Sequence, residues 1–127
     1  MDRASIGSAV PRILIVDDEP LVAMMVAEWV EELGHEVAGP YRDESSALAL
    51  VEATPPDAAI VDVSLGGGSG YTVAESLAQR KIPFVFATGH GEGSLMPRFS
   101  GTPVLVKPYD FADVDVAIGK MIGRGPS

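Results

Sequence analysis

Cysteine is absent from the 127 residues, which excludes disulfides and thiolate metal sites. Positive charge is scarce. Lys and Arg number 9 against 18 Asp and Glu, a formal net charge of −9. That balance argues against unaided nucleic-acid binding, where Lys and Arg neutralise phosphates, and against docking on anionic membranes. It suits basic partners or divalent cations. Long apolar runs are missing too, and none approaches the ~20 residues of a membrane span. The start, Met1 to Val10, lacks the charged-then-apolar pattern of a signal peptide. A soluble cytoplasmic protein is the expectation. What is abundant is apolar: hydrophobic residues make up 46% of one domain-sized length, enough for a sizeable core.

The apolar residues arrive in short runs with polar ends. Arg12 to Val16 reads as a strand buried on both faces, the pattern of a parallel sheet. Pro20 suits the first turn of a helix, and Leu21, Met24, Met25, Val26, Trp29 and Leu33 recur at helical spacing, with Gly34 as its C-terminal cap. By that spacing Trp29 and the Met24-Met25 pair are core residues. His35 to Gly39 reads as a second strand, with His35 structural. Ser45 to Ala53 reads as a helix with Ala47, Leu48 and Val51 inward, halted by Pro55-Pro56. Ala58 to Val63 is a third strand, and the glycine-rich loop Leu65 to Gly70 is expected to be irregular. Val73, Ala74, Leu77 and Ala78 mark a third helix, and Pro83 to Ala87 a fourth strand. A weak fourth helix is expected between Gly89 and Gly101, anchored by Leu95, Met96 and Phe99. Pro103 to Val106 and a last helix carrying Phe111, Val114, Ile118 and Met121 complete the chain. Strand–helix alternation repeated five times predicts an α/β fold with a doubly wound parallel sheet, (βα)5 and flavodoxin-like, in strand order 2-1-3-4-5. Residues 12–122 form the domain, 1–11 a flexible arm, and 123–127 a disordered tail.

Four charged residues sit where strands end. Asp17 and Asp18 follow Ile13-Leu14-Ile15-Val16, Asp62 follows Ala58-Ala59-Ile60-Val61, and Lys107 follows Val104-Leu105-Val106. Ligand sites of open α/β sheets form outside these carboxyl ends. With strands 1 and 3 adjacent, the three carboxylates converge, so a proton held at raised pKa or a cation must relieve their repulsion. A hard, oxygen-liganded ion such as Mg²⁺ suits them. A carboxylate beside it can attack phosphorus to form an aspartyl phosphate. Lys107 can meet a phosphoryl oxygen as a point charge, and Thr88 offers a hydroxyl from a third side.

Asp17-Asp18-Glu19-Pro20, Asp62, Thr88 and Lys107-Pro108, in this order and spacing, resemble the receiver domain of two-component response regulators. The resemblance covers about residues 12–122. It implies that Asp62 accepts a phosphoryl group from a histidine kinase or a histidine phosphotransfer protein. It also implies Mg²⁺ held by Asp18 directly, by Asp17 mostly through water, by Asp62, and by the backbone carbonyl of Ser64. The Lys107-Pro108 peptide is expected to be cis. Phe86-Ala87-Thr88-Gly89-His90-Gly91 resembles the signature of the FAT GUY receivers, which are often single-domain regulators paired with HWE and related kinases. His90 stands where that signature has an aromatic residue. Most receivers carry Tyr or Phe three positions before the lysine, as an inward-turning switch. Here that residue is Val104, which points to the glycine-rich segment Gly89–Gly101 as the moving part.

Plainer readings stand beside these. Asp17-Asp18 can cap the first helix, His90 can be a solvated loop residue, and Gly66-Gly67-Gly68 lacks the Gly-Lys-Ser/Thr ending of a phosphate-binding loop. An aspartyl-nucleophile phosphatase or phosphotransferase is the alternative function. It is disfavoured because such enzymes usually pair nucleophile and acid in one Asp-x-Asp motif. A flavin carrier is disfavoured by the short, acidic loop after the first strand. The expectation is therefore a signalling protein that catalyses only its own phosphorylation and dephosphorylation. With no DNA-binding domain after the last helix, direct transcriptional control is not expected.

Overall fold

Strands apolar on both faces need a layer of helices on each side, and this chain supplies both. The computed structural model describes residues 10–65, 68–89 and 95–123. In chain order the elements are β1 (Arg12–Val16), α1 (Pro20–Glu32), β2 (Glu36–Tyr41), α2 (Glu44–Ala53), β3 (Ala58–Asp62), β4 (Ser64–Leu65), β5 (Gly68–Ser69), α3 (Gly70–Gln79), β6 (Phe84–Thr88), β7 (Val104–Val106) and α4 (Phe111–Met121). The main sheet has the order β2-β1-β3-β6-β7, and every pairing in it is parallel. Counting only its five strands, this is the expected order 2-1-3-4-5.

The sheet separates two cores. One lies under α2 and α3 and includes Leu14, Val16, Val51, Val61, Leu77 and Phe86. The other lies under α1 and α4 and includes Ile13, Ile15, Val26, Val30, Ile60 and Ile118. Alternate residues of β1 and β3 thus go to opposite layers, as strand geometry requires. The helices start on side-chain caps where the sequence provides them. Asp43 Oδ1 accepts from Ser46 N at 2.7 Å, Ser69 Oγ from Tyr71 N at 3.0 Å, and Asp110 forms a capping box with Asp113. Gly34, at φ +93, ends α1 in the left-handed conformation expected of it.

Three expectations are corrected. Leu21, Met24 and Met25 are exposed, and α1 buries Ala23, Val26 and Val30 instead, with Trp29 only partly covered. The helix is apolar around more than half its circumference, so spacing alone does not choose the stripe that faces the sheet. Between Gly89 and Gly101 the described residues hold only a 3-10 turn, Pro97–Phe99, in place of a helix. Its buried residue Phe99 docks on Tyr71, and Gly101 follows at φ +92. His90 and the rest of 90–94 lie outside the described residues. The loop after β3 is partly regular, since β4 and β5 pair antiparallel through Ser64↔Ser69 and Leu65↔Gly68. Leu65 is buried, and Glu44 Oε1 accepts from Ser69 N at 3.1 Å, which ties the hairpin to α2.

That hairpin returns the chain against the end of β3. Gly70 N donates to Val63 O at 2.9 Å, and a Cβ on Gly70 would lie 2.0 Å from the backbone oxygen of Asp62. A side chain there must push α3 or the strand end aside. Gly70→Ala is therefore expected to destabilise by about 1–3 kcal/mol, the cost of overpacking. Gly89→Ala, which meets nothing within 4 Å, should stay within about 0.5 kcal/mol. Denaturant midpoints of the two variants check the contrast; equal midpoints would contradict it.

Candidate functional site

Parallel register brings the acidic residues together. Val16 pairs with Val61, so the next residues, Asp17 and Asp62, stand side by side at the carboxyl ends of β1 and β3. Asp62 in turn pairs with Ala87, which sets Thr88 beside it, and Thr88 pairs with Val106. Lys107 N donates to Thr88 O at 2.8 Å, fixing the root of the lysine. The Lys107-Pro108 peptide is cis. Asp17, Asp62 and Thr88 are buried, and Asp18 is half-buried.

Asp17, Asp18 and Asp62 each offer a carboxylate oxygen, and these oxygens lie within 4.8 Å of one another. Three hard oxygen donors at this spacing fit a divalent cation such as Mg²⁺. Lys107 supplies the positive charge present in the chain itself. Its Nζ lies 2.9 Å from Asp62 Oδ2, 3.5 Å from Asp17 Oδ2 and 2.5 Å from Glu19 Oε1. The rest of the cluster is held by backbone donors. Asp17 Oδ1 accepts from Glu19 N at 2.9 Å, and Asp62 Oδ1 from Ser64 N at 3.1 Å. The Asp17 interaction orders the turn into α1 without capping the helix, whose N-cap is Glu19 with no side-chain capping hydrogen bond.

Burial and crowding shift the titration of the site. Asp17 is raised from 3.8 to about 6, first by burial and then by the negative charge of Asp62, against the lowering effects of the Glu19 amide and Lys107. Burial would lower Lys107, but Glu19, Asp62 and Asp17 outweigh it and hold the ammonium above its usual range. The Tyr109 phenol is raised to about 12 by burial and by the charge on Asp17, so it stays neutral.

A family model for the response regulator receiver domain matches residues 13–119. The chain belongs to that family. Among curated relatives, the transcriptional regulatory protein PdtaR of Mycobacterium tuberculosis is 34% identical over 122 residues, covering 92% of this chain and 60% of PdtaR. The phyllosphere-induced regulator PhyR of Methylorubrum extorquens is 32% identical over 114 residues, covering 87% of this chain and 43% of PhyR. This receiver domain thus spans about half the length of the curated relatives it matches. The solution structure of SdrG from Sphingomonas melonis Fr1 is 46% identical and aligns with a TM-score of 0.78, covering 91% of this chain and 99% of SdrG. The flavodoxin-like receiver fold and a place in two-component signalling follow from the family. Among the described residues no helix is long and apolar enough to cross a membrane.

All the acidic and basic residues singled out in the sequence meet at one strand edge, with Thr88 beside them. Two neighbours were not legible there. Glu19 is adjacent to the acidic pair in sequence, but its partner is 88 positions away. Tyr71, on the first turn of α3, accepts from Met96 N at 3.1 Å through its hydroxyl, stacks on Phe99 at 5.4 Å between centroids, and meets Phe86 edge-on. Arg98 also pairs with Glu75. The segment after β6 is therefore anchored on α3.

The raised Asp17 sets a pH dependence. Below 3.8 the residue is protonated in folded and unfolded chains alike. Between 3.8 and about 6 only the folded form keeps the proton, and above that range both are charged, with the native state carrying the repulsion. Asp17 therefore makes the metal-free protein less stable as pH rises through this window. Asp17→Asn should remove that part of the slope. Chemical denaturation with chelator at several pH values checks it, and an unchanged slope in the variant would contradict it.

Proposed function

We propose that this receiver domain is a single-domain response regulator of a two-component phosphorelay, working in the cytoplasm and accepting a phosphoryl group on Asp62. The donor is the phosphohistidine of a histidine kinase, of the HWE family by the Phe86–Gly91 run, or of a histidine phosphotransfer protein. The observation that carries the reading is the convergence of Asp17, Asp18 and Asp62 at the strand ends, with the Lys107 ammonium against Asp17 and Asp62. Near-complete coverage of SdrG supports the single-domain form. A phosphatase acting on separate substrates is not favoured by any feature of the site.

In this reading an Asp62 carboxylate oxygen attacks phosphorus while the phosphorus–nitrogen bond breaks, and its electron pair stays on the histidine nitrogen. The reaction needs mainly positioning and charge stabilisation. Asp17, Asp18, Asp62 and the Ser64 carbonyl would hold Mg²⁺, which offsets charge on the phosphoryl oxygens when bound. Lys107 meets one phosphoryl oxygen, and the Thr88 hydroxyl donates to another. Intact-mass measurement with a small phosphodonor and Mg²⁺ tests the assignment. The wild type should gain one phosphate, Asp62→Asn none, and Asp18→Ala should label at least tenfold more slowly. Equal labelling of Asp62→Asn would overturn it.

The output of phosphorylation is a changed binding surface at the segment after Thr88. Val104 is β-branched, with few rotamers, and cannot take the part of a rotating ring. Thr88 stands at the root of Gly89–Gly101, whose far end rests on Tyr71 and Glu75 through Met96, Phe99 and Arg98. A BeF3-activated conformation is recorded for SdrG, and the same mimic serves here. Outside the pocket, the largest amide changes on adding beryllofluoride should fall between Gly89 and Gly101. Changes confined to α1 or α4 would refute this route.

A further inference from the structure

Lys107 is already engaged before any phosphoryl group arrives, donating to Glu19 and Asp62 with Asp17 as a further ion-pair neighbour. An ammonium has three N–H donors, and three carboxylates, from Asp17, Glu19 and Asp62, face this one. Their fates on phosphorylation differ. Asp62 becomes an acyl phosphate and passes its charge to the phosphoryl oxygens. Asp17 lies in the trio that a cation would neutralise. Glu19 lies outside that trio, keeps its charge, and already makes the shortest contact, at 2.5 Å.

The position of Glu19 is unusual for the residue type. It is the N-cap of α1, where Ser, Thr, Asp or Asn normally accepts from the first turn, yet its side chain makes no capping hydrogen bond. Its backbone is fixed on both sides. Glu19 N donates to Asp17 Oδ1, Glu19 O accepts from Ala23 N at 2.9 Å, and Pro20 follows in the first turn. A rigid base thus projects a side chain that is 57% exposed across the site to the lysine. Because the carboxylate is mostly in water, it can leave Lys107 without an unpaired charge being buried.

We propose that Glu19 is a positioning residue that competes with the phosphoryl group for Lys107, and so sets how tightly the activated form is held. The inference rests on Asp62 being the phosphoacceptor. Glu19→Gln keeps the acceptor oxygen and the bulk but loses the charge that strengthens the hydrogen bond, and Glu19→Ala removes the contact. The Glu19 side chain is mostly exposed, and thermal melts verify that both variants fold.

Beryllofluoride, titrated at saturating Mg²⁺ and followed by the Thr88 amide signal, reads the competition. Glu19→Gln and Glu19→Ala should each bind it about threefold more tightly than wild type, the size an exposed ion pair supplies. In a Lys107→Ala background, Glu19→Gln should change nothing, because the effect passes through the lysine. Unchanged or weaker binding in the single variants would overturn the inference, as would a gain that survives loss of Lys107. A wild type that takes up no beryllofluoride would overturn the phosphoacceptor reading and this inference together. Binding that depends on Asp62 but ignores Glu19 overturns the inference alone.

Discussion

Like charges crowded at the end of a sheet are the constraint around which this molecule is arranged. Asp17 and Asp62 are buried neighbours, Asp18 joins them, and one ammonium, from the end of the edge strand β7, faces Asp17 and Asp62. Such an arrangement is costly without compensation. Asp17 is raised first by its burial and further by the charge of Asp62, and Lys107 is held high by the carboxylates that face it. A site tuned this way gains from any ligand that brings positive charge, and it resists an anion until that charge is in place.

Holding the charges together falls to apolar packing. Ile13 to Val16 and Ala58 to Val61 are buried on both faces, so the two strands that carry the carboxylates cannot shift without exposing one of two cores. Register then places Asp17 on one side of Asp62 and Thr88 on the other. Around this rigid centre, the connections carry the polar detail. The β4–β5 hairpin supplies the Ser64 amide to Asp62, and the turn into α1 supplies the Glu19 amide to Asp17.

The two faces of the sheet serve different ends. Under α2 and α3 an aromatic group, Tyr71, Phe84, Phe86 and Phe99, joins the body of the domain to the segment that follows Thr88. Edge-to-face and offset contacts of this kind favour defined geometries, so a displacement at Thr88 meets an ordered neighbour. On the other face α1 packs through Ala23, Val26 and Val30 and leaves Leu21, Met24 and Met25 exposed, with Met25 sharing a cleft with Pro108 and Tyr109.

Much of this was legible in the residues themselves. Runs such as Ile13-Leu14-Ile15-Val16 ended by Asp announce buried parallel strands with chemistry at their tips, because a carboxylate directly after such a run has no place in the core. Pro20, Gly34 and the Pro55-Pro56 pair mark helix limits through backbone geometry that is local. What stayed hidden depends on neighbours distant in sequence. Spacing identifies α1 as amphipathic but not which of two apolar stripes meets the sheet. Leu95 and Phe99 suggest a helix, yet the ring of Tyr71 receives Phe99 in a 3-10 turn. Gly70 is required because Asp62 O lies where a Cβ would be. Glu19 meets Lys107 only after five strands have been laid in order. Local stereochemistry and burial preference were therefore decided by the sequence, whereas each long-range electrostatic and steric contact was decided by the tertiary structure, since distance in space sets its energy.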